Sequence, residues 1–375
     1  MFFDIKGKKK LKYCNSGKEE MRKSVKFVGL FFQNHNMTKS YITGVAICLI
    51  LFSSCSPGGN KGSTVAADKP YKPISVKESS TSGEITIVVD ETYQPILESA
   101  IETFQGTYPD AHINALYQPG EKAVETMLNS DTVRLVITSR ELSKKEQRYL
   151  IDQSTSAKTS RIATDAVAFI THPDNPISRM ASFELEDILT GKIQNWSDIN
   201  SKGKNEKISI TFDNAQSSTL KFLRDSVLVD RQLTTENIFA SNSNPEVIDY
   251  VAQSPNALGI IGVPWISDQD DEKAVGFLEK VNVLGIVPEY ECSFSTEYAA
   301  FQPYQAFIKQ NCYPYSRGIY TILRESKFGL GSGFVAYLAH DQGQRIFHKA
   351  GLVPDQGITR IVKFPSKAEQ SEAQQ

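Results

Sequence analysis

The chain has 375 residues, a length sufficient for two or three folded domains, and a formal net charge of −2 at pH 7. Hydrophobic residues make up 40% and charged residues 22%, as is typical of a globular protein. Residues 1–54 carry 10 Lys and Arg against 3 Asp and Glu, which leaves 31 and 40 for residues 55–375. Because this larger part is acidic, nucleic acid is not an expected partner.

A short apolar run near the amino end has the layout of a secretory signal. Residues 41–52, YITGVAICLILF, are too few to span a bilayer and precede two serines and Cys55. A Cys that follows small residues resembles the lipobox of bacterial lipoproteins. We therefore expect a lipoprotein signal peptide at residues 37–54, lipidation of Cys55, and a periplasmic protein anchored to the membrane. Residues 1–36 are interpreted as an upstream extension, and the Gly-, Ser- and Pro-rich residues 55–83 as a lipid-anchored linker.

Strand and helix patterns alternate through the rest of the chain, which predicts an α/β fold with parallel strand pairing. The predicted strands are residues 84–89, 111–117, 133–138, 162–171, 208–212, 257–263, 281–287, 318–323 and 357–364. The predicted helices are residues 94–108, 121–129, 144–152, 183–190, 245–253 and 333–350, and a further helix begins after Gln216.

Three hydroxyl side chains crowd the start of that further helix. Ser217, Ser218 and Thr219 directly follow a predicted strand and turn. A helix start offers unpaired backbone N–H groups and the positive end of the helix dipole, which together suit an anion. An ordinary Ser/Thr N-cap is the alternative interpretation.

Two other strand-to-helix turns carry polar side chains. Ser139 and Arg140 lie just beyond a buried-looking strand, at the edge where open α/β sheets bind ligands. Arg140 can clamp an oxyanion with two hydrogen bonds, or it can pair with Glu141, Glu146 or a more distant acid. The carboxylate pair Asp90 and Glu91 ends the first strand, where it suits either acid–base chemistry or a solvated turn.

Residues 84–364 resemble the phosphate-binding proteins of bacterial ABC transporters, in a Bacteroidetes-type branch. The resemblance rests on blocks that occur in the family's order and spacing. They include ITIVVDETYQPIL at 85–97, RLVITSREL at 134–142, LEDILTGKIQNWSDI at 185–199, FDNAQSSTLKFL at 212–223 and GQRIFHKAGLVP at 343–354.

This resemblance implies a two-lobed type II periplasmic binding protein fold. Each lobe is then a mainly parallel sheet flanked by helices, with the ligand cleft between the lobes. The expected bounds are residues 84–164 plus 316–365 for lobe 1, 165–315 for lobe 2, and 366–375 for a polar tail. The implied ligand is phosphate or another small tetrahedral oxyanion, and the implied partner is an inner-membrane ABC permease. We expect a monomer that is not an enzyme and has neither cofactor nor metal.

By position, the resemblance assigns oxyanion binding to the hydroxyl cluster Ser217, Ser218 and Thr219 and to the pair Ser139 and Arg140. The turn after the first predicted strand supplies Asp90, Glu91 and Thr92. The turn after the second predicted strand supplies Glu121 as a possible contact.

The chain departs from the family pattern at acidic positions. Asp90 and Glu91 replace a Gly-Ser-Thr turn, Glu121 replaces the Ser of a Gly-Ser-Gly turn, and Asp213 stands where the family has an Arg. Carboxylates near an anion repel it by several kcal/mol at an intermediate dielectric, roughly 4 kcal/mol per pair. Three explanations are open: Asp213 and Arg140 have exchanged roles, the carboxylates turn away or accept a phosphate proton, or the ligand is not phosphate.

The remaining alternatives concern function class and cysteine pairing. The same fold would also serve a sensor or surface lipoprotein that binds a different solute or a partner protein. Cys292 and Cys312 are either bonded to each other in an oxidising compartment or are free thiols, and neither has metal-ligand spacing.

Overall fold

The computed structural model describes residues 77–357, except 235, 293–298 and 326. Its strands are β1 (Gly83–Asp90), β2 (Ala111–Gln118), β3 (Leu135–Thr138), β4 (Lys158–Thr171), β5 (Arg179–Ala181), β6 (Ser209–Phe212), β7 (Ile238–Ala240), β8 (Ala257–Gly262), β9 (Asn282–Val283), β10 (Gly285–Val287), β11 (Ser316–Leu323) and β12 (Val353–Pro354). Its helices are α1 (Gln94–Thr107), α2 (Gly120–Asn129), α3 (Lys144–Asp152), α4 (Ser182–Leu189), α5 (Ser218–Phe222), α6 (Asn244–Gln253), α7 (Glu272–Leu278), α8 (Gln305–Lys309), α9 (Leu330–Ala339) and α10 (Asp341–Lys349).

One long sheet organises these elements, in the order β2-β1-β3-β11-β4-β8-β6-β7. Pairing is parallel at both ends, between β1 and its neighbours β2 and β3 and between β6 and its neighbours β7 and β8. β11 and β4 run antiparallel to the strands beside them. We call β2, β1, β3 and β11 the first half-sheet, and β8, β6 and β7 the second half-sheet.

Strand β4 joins the two half-sheets because it is long enough to pair with both. Its pairing with β11 runs as far as Ala166, and its pairing with β8 begins at Val167. Asp165 therefore lies where the sheet passes from one half to the other. The strand is buried along most of its length, so the join lies in the interior.

The helices pack through apolar stripes at helical spacing. In α1 the buried stripe consists of Ile96, Leu97, Ala100, Ile101 and Phe104. Phe104 meets Phe334 of α9 edge-on, with ring centroids 5.3 Å apart. Such an aromatic pair adds about 1 kcal/mol to the burial of the rings, and it fixes α1 and α9 on the same side of the first half-sheet.

The predicted α/β alternation is confirmed, with differences at particular elements. The predicted strand 281–287 is broken, because β9 pairs with β4 whereas β10 pairs with β5 in a separate two-stranded sheet. The predicted helix 333–350 divides at His340, whose backbone is extended, into α9 and α10. The pattern missed β5, β7, β12, α7 and α8. The predicted last strand lies outside the described residues apart from Gly357.

Cys292 and Cys312 form a disulfide with a Cα–Cα distance of 5.3 Å, which decides between the two alternatives. The bond closes a loop of 20 residues and is worth roughly 3 kcal/mol in the chain-entropy model. In the described part of the chain, no helix has the length and apolar character needed to cross a membrane. The predicted signal peptide, Cys55 and most of the linker lie outside that part.

Candidate functional site

The carboxyl end of β1 places a carboxylate in the interior. Asp90 is fully buried, and its Oδ1 accepts a hydrogen bond of 3.1 Å from the backbone N–H of Thr92. Its Oδ2 has no hydrogen-bond partner among the described residues. The local sequence explains this geometry, since an Asp at the start of a helical turn caps the N–H two residues later with one oxygen and leaves the other free.

The three hydroxyls at the start of α5 have different roles. Ser217 is the N-cap, and its Oγ accepts a hydrogen bond of 3.1 Å from the N–H of Leu220. The Oγ of Ser218 lies 3.3 Å from Oγ1 of Thr92, which brings the second half-sheet against the first. The Oγ1 of Thr219 is buried without a hydrogen-bond partner in the described structure. The plain N-cap interpretation therefore applies to Ser217 and not to the other two.

A buried cation, Arg317, lies beside these hydroxyls, and the sequence interpretation missed it. Its Nε donates to Oδ2 of Asp165 at 3.1 Å, and its Nη1 donates to Oγ of Ser218 at 3.3 Å. Nη2 has no partner among the described residues, and the guanidinium lies 5.8 Å from the ring centroid of Tyr93. Arg317 and Asp165 are direct partners in the antiparallel ladder of β11 and β4. The available signal was that Asp165 is the single charged residue of the predicted strand 162–171 and that Arg317 directly precedes the predicted strand 318–323.

Arg140, expected to clamp the ligand, is held elsewhere by two carboxylates. Its Nε donates to Glu121 at 2.8 Å, and its Nη groups donate to Glu146 at 2.9 Å. The open alternative of a salt bridge is therefore the one that the structure shows. The Glu121 carboxylate is turned toward Arg140, and Ser139 adjoins the buried Tyr93. No hydrogen bond between the described residues links Arg140 to Asp213, so the structure gives no support to an exchange of their roles.

The amino end of α2 closes over Asp90. A Cβ added at Gly120 would lie 2.7 Å from Oδ2 of Asp90 and 2.7 Å from Cβ of Ser218, so a side chain would not fit there. The N–H of Glu121 also donates to the carbonyl of Gln216 at 3.4 Å. Gly120 is thus required because the end of β1, the start of α2 and the start of α5 approach one another closely at this point.

A second carboxylate group borders the cluster at the turn after β6. Asp213 is buried and accepts hydrogen bonds from the N–H of Asn214 at 3.0 Å and from Nδ2 of Asn244 at 3.3 Å. Nδ2 of Asn214 donates to Oε1 of Glu91 at 3.0 Å, which links the two turns. Asp213 therefore lies beside the hydroxyl cluster, and the Ser217 side chain helps to stabilise its charged form.

One polar cluster comprises Asp90, Glu91, Asp165, Asp213 and Arg317 with the hydroxyls of Thr92, Ser218 and Thr219. Burial raises the pKa of its acids. Burial raises the pKa of Asp165 and of Asp213 to about 6, and Arg317 opposes both shifts. The pKa of Glu91 is raised to about 7, first by burial and then by the charges of Asp213 and Asp90. Burial also raises the pKa of Asp90 against the opposing Arg317 and neighbouring hydroxyls. The acids are thus harder to ionise here than in water.

Four polar atoms of this cluster are buried without a hydrogen-bond partner in the described structure: Oδ2 of Asp90, Oδ1 of Asp165, Oγ1 of Thr219 and Nη2 of Arg317. Buried polar groups are normally paired, so a group of them in one place calls for a partner from outside the chain. The guanidinium offers a donor, the carboxylates offer acceptors, and the hydroxyl can act as either. A small ligand that carries both acceptor oxygens and a hydroxyl would satisfy the set.

Comparison with known proteins identifies a matching family and similar sequences. A sequence model of the family described as a PBP superfamily domain matches residues 75–342. A phosphate-binding protein PstS of Bacillus subtilis is 25% identical over 325 residues, covering 84% of this chain and 92% of its own length. One from Staphylococcus aureus is 23% identical over 308 residues, covering 81% and 84%.

Solved structures show the same fold. A phosphate ABC transporter substrate-binding protein from Clostridium perfringens, with bound phosphate, superposes with a TM-score of 0.60 at 20% identity. It covers 73% of this chain and 100% of its own. A phosphate transport receptor from Vibrio cholerae gives 0.54 at 19% identity, with 72% and 100% covered. The predicted fold class is confirmed, whereas the Bacteroidetes-type branch stays a prediction.

Replacing Arg317 with Met should destabilise the protein by about 3–5 kcal/mol, because it leaves Asp165 buried without its cation. The double variant R317M/D165L should recover most of this loss, since two apolar side chains replace the pair. Urea unfolding measures both free energies. As a control, R140M breaks only partly exposed ion pairs and should cost about 1 kcal/mol. An R317M loss no larger than that of R140M would contradict the buried pair.

Replacing Asp213 with Asn should change how stability depends on pH. Because burial raises the pKa of Asp213 from 3.8 to about 6, the folded protein holds this proton where the unfolded chain has released it. The wild type should therefore lose stability relative to D213N as pH rises between those two values, by on the order of 3 kcal/mol.

Urea unfolding at several pH values tests this difference. The exposed D249N variant is the control and should follow the wild type, since Asp249 pairs with Lys280 at the surface. Parallel pH profiles for D213N and the wild type would show that Asp213 titrates normally.

Proposed function

We propose, because the chain belongs to the PBP superfamily, that it captures inorganic phosphate outside the cytoplasm and delivers it to an ABC permease. The observation that carries this proposal is the set of buried, unpartnered donors and acceptors around Arg317. Relatives named as phosphate-binding proteins match more than four fifths of the chain, which supports the same ligand. The proposed role is that of a binding protein and not an enzyme.

The donors proposed to contact the anion come from three elements. Arg317 contributes Nη2 from β11, Thr219 and Ser218 contribute hydroxyls from α5, and Thr92 contributes its hydroxyl from the turn after β1. A charged hydrogen bond of this kind is worth about 1.5–3 kcal/mol, about twice a neutral one. Asp165 holds the guanidinium in place by its bond to Nε.

A carboxyl group in the same cluster is compatible with an anion when one proton lies between the carboxyl oxygen and the ligand oxygen. Oδ2 of Asp90 is fully buried, and an ionised carboxylate there can only accept a hydrogen bond. Phosphate near neutral pH has both bare oxygens and a hydroxyl, so it can complement a cluster of mixed character. In this proposal Arg140 and Glu121 brace the start of α2 and do not touch the ligand.

The same geometry supports the two expected lobes. In this proposal lobe 1 comprises residues 84–164 plus 316–365, and lobe 2 comprises residues 165–315. The change of pairing partner along β4, between Ala166 and Val167, lies two residues beyond that boundary. Contacts such as Thr92 with Ser218 would then join the lobes around the ligand, and opening would separate them by a hinge in β4 and β11.

The carboxylate excess favours one alternative ligand class. The charge of Arg317 acts on Asp90, Asp165 and Asp213, and Glu91 lies near two of these acids. Such an acidic site also suits a neutral or cationic solute. The same fold would then act as a sensor or surface lipoprotein. A thermal-shift screen distinguishes the two, since stabilisation by a non-phosphate solute alone would favour the alternative.

Replacing Thr219 with Val should weaken phosphate binding by about tenfold to a hundredfold, as expected for one hydrogen bond to a charged group. Because the hydroxyl is buried without an internal partner, the variant should unfold at the same or a higher urea concentration than the wild type. Calorimetry with inorganic phosphate measures the dissociation constant.

The matched control is T171V, since Thr171 is a buried threonine on β4 whose hydroxyl also lacks a partner in the described structure. It lies six residues beyond Asp165 and should leave binding unchanged. Equal effects of the two variants, or no wild-type binding at millimolar phosphate, would contradict the proposal.

The lipid anchor at Cys55 is also part of the proposal. Replacing Cys55 with Ala should move the protein from the membrane fraction to the soluble fraction and abolish incorporation of a labelled fatty acid. Variants should be expressed in the source bacterium and fractionated. A C55A protein that remains labelled would show that the anchor lies elsewhere.

A further inference from the structure

The charges of the cluster do not balance. Asp90, Asp165 and Asp213 are buried, Glu91 is partly buried beside them, and Arg317 is their cation. These acids act on one another electrostatically, since Asp90 disfavours ionisation of each of the other three. If all four acids were ionised, the cluster would carry four negative charges against the one positive charge of Arg317 before any anion arrived.

Groups from the other elements packed against Asp90 do not correct this imbalance. Tyr93, in the adjoining turn, is neutral because burial raises its pKa well above the ordinary value. At the start of α2, the Glu121 carboxylate lies 2.8 Å from Arg140 and 3.8 Å from Lys221. Lys221 also pairs with Asp225 at 2.7 Å, so it is shared between two carboxylates at the partly exposed side of α5.

Adding an anion to this cluster increases the repulsion. Each carboxylate close to a unit negative charge adds a repulsive contribution, which is larger in a buried site than in water. One proton removes one such term and also changes the hydrogen bonding, since a neutral carboxyl has an O–H to donate whereas a carboxylate has none. Proton uptake is thus the least costly way to admit the anion.

Asp90 is the acid placed to hold that proton. Its Oδ1 is committed to the N–H of Thr92, whereas its Oδ2 has no partner in the described structure. Gly120 lies over Oδ2, and Ser218 lies beside it, so this oxygen faces the hydroxyl cluster. Burial also raises the pKa of Asp90, against the opposing charge of Arg317, which favours the neutral form. By contrast, both oxygens of Asp213 accept hydrogen bonds.

We propose that anion binding is coupled to proton uptake, and that the proton is held on Oδ2 of Asp90, which donates it to a ligand oxygen. This coupling rests on the proposed function, since it presumes that the ligand is an anion. It makes capture tighter in acid and weaker in base. Above the pKa of Asp90, the dissociation constant should rise about tenfold per pH unit, the slope expected for one linked proton.

Calorimetry of the purified protein with inorganic phosphate tests the coupling. Titrations over a range of pH, in buffers that differ in ionisation enthalpy, should show uptake that rises toward one proton per bound anion as the pH passes the pKa of Asp90 in the free protein. D90N carries a permanent donor in place of the carboxyl O–H, so it should bind phosphate with near-zero uptake and little pH dependence. D249N, an exposed Asp→Asn change, should keep the wild-type uptake.

The outcomes separate the coupling from the proposed function. Phosphate binding by the wild type without proton exchange, or D90N that still takes up a proton, would overturn the coupling and leave phosphate capture intact. No heat and no thermal shift with phosphate would overturn the proposed function itself. Infrared difference spectra give a second measurement, since phosphate should produce the band of a protonated carboxyl in the wild type. Absence of that band would place the proton on the ligand.

Discussion

The buried pair of Arg317 and Asp165 is the interaction on which the site depends. The two residues face each other across β11 and β4, the strands through which the two half-sheets are joined. A buried ion pair gives little net stability, because desolvation of both charges offsets their attraction. Its value here is positional: Asp165 fixes Nε, so the remaining N–H groups of Arg317 point toward Ser218 and the unpartnered atoms around it.

Contacts around this pair tie the two half-sheets together. The hydroxyls of Thr92 and Ser218 meet, Asn214 donates to Glu91, and Gly120 allows α2 to approach both sides. A ligand bound among these groups would contact residues from both half-sheets at once. Such a ligand stabilises the joined arrangement by the difference in its affinity for the joined and separated forms, which is how a binding protein couples capture to closure.

The acidic character of the cluster sets a balance between stability and binding. Burial raises the pKa values of Asp165 and Asp213 to about 6, so keeping these groups ionised at neutral pH opposes folding. The cluster persists because asparagine and backbone N–H groups hold Asp213 and a guanidinium holds Asp165. Strain of this electrostatic kind is concentrated where function requires a preorganised polar site.

The sequence by itself determined the fold class, most strand and helix positions, and the turns where polar groups gather. Periodicity records which face of an element is buried, and turn residues such as Asp90 and Ser217 act through neighbours two or three positions away. Local chemistry of that kind can be read along the chain.

Only the tertiary structure decided which charges meet. Arg140 looked suited to an anion, but helix packing gives it Glu121 and Glu146 as partners. Arg317 and Asp165, separated by 152 positions, become neighbours because β11 and β4 pair in one register. Electrostatic energy depends on distance and burial in space, and the sequence records neither for residues that far apart.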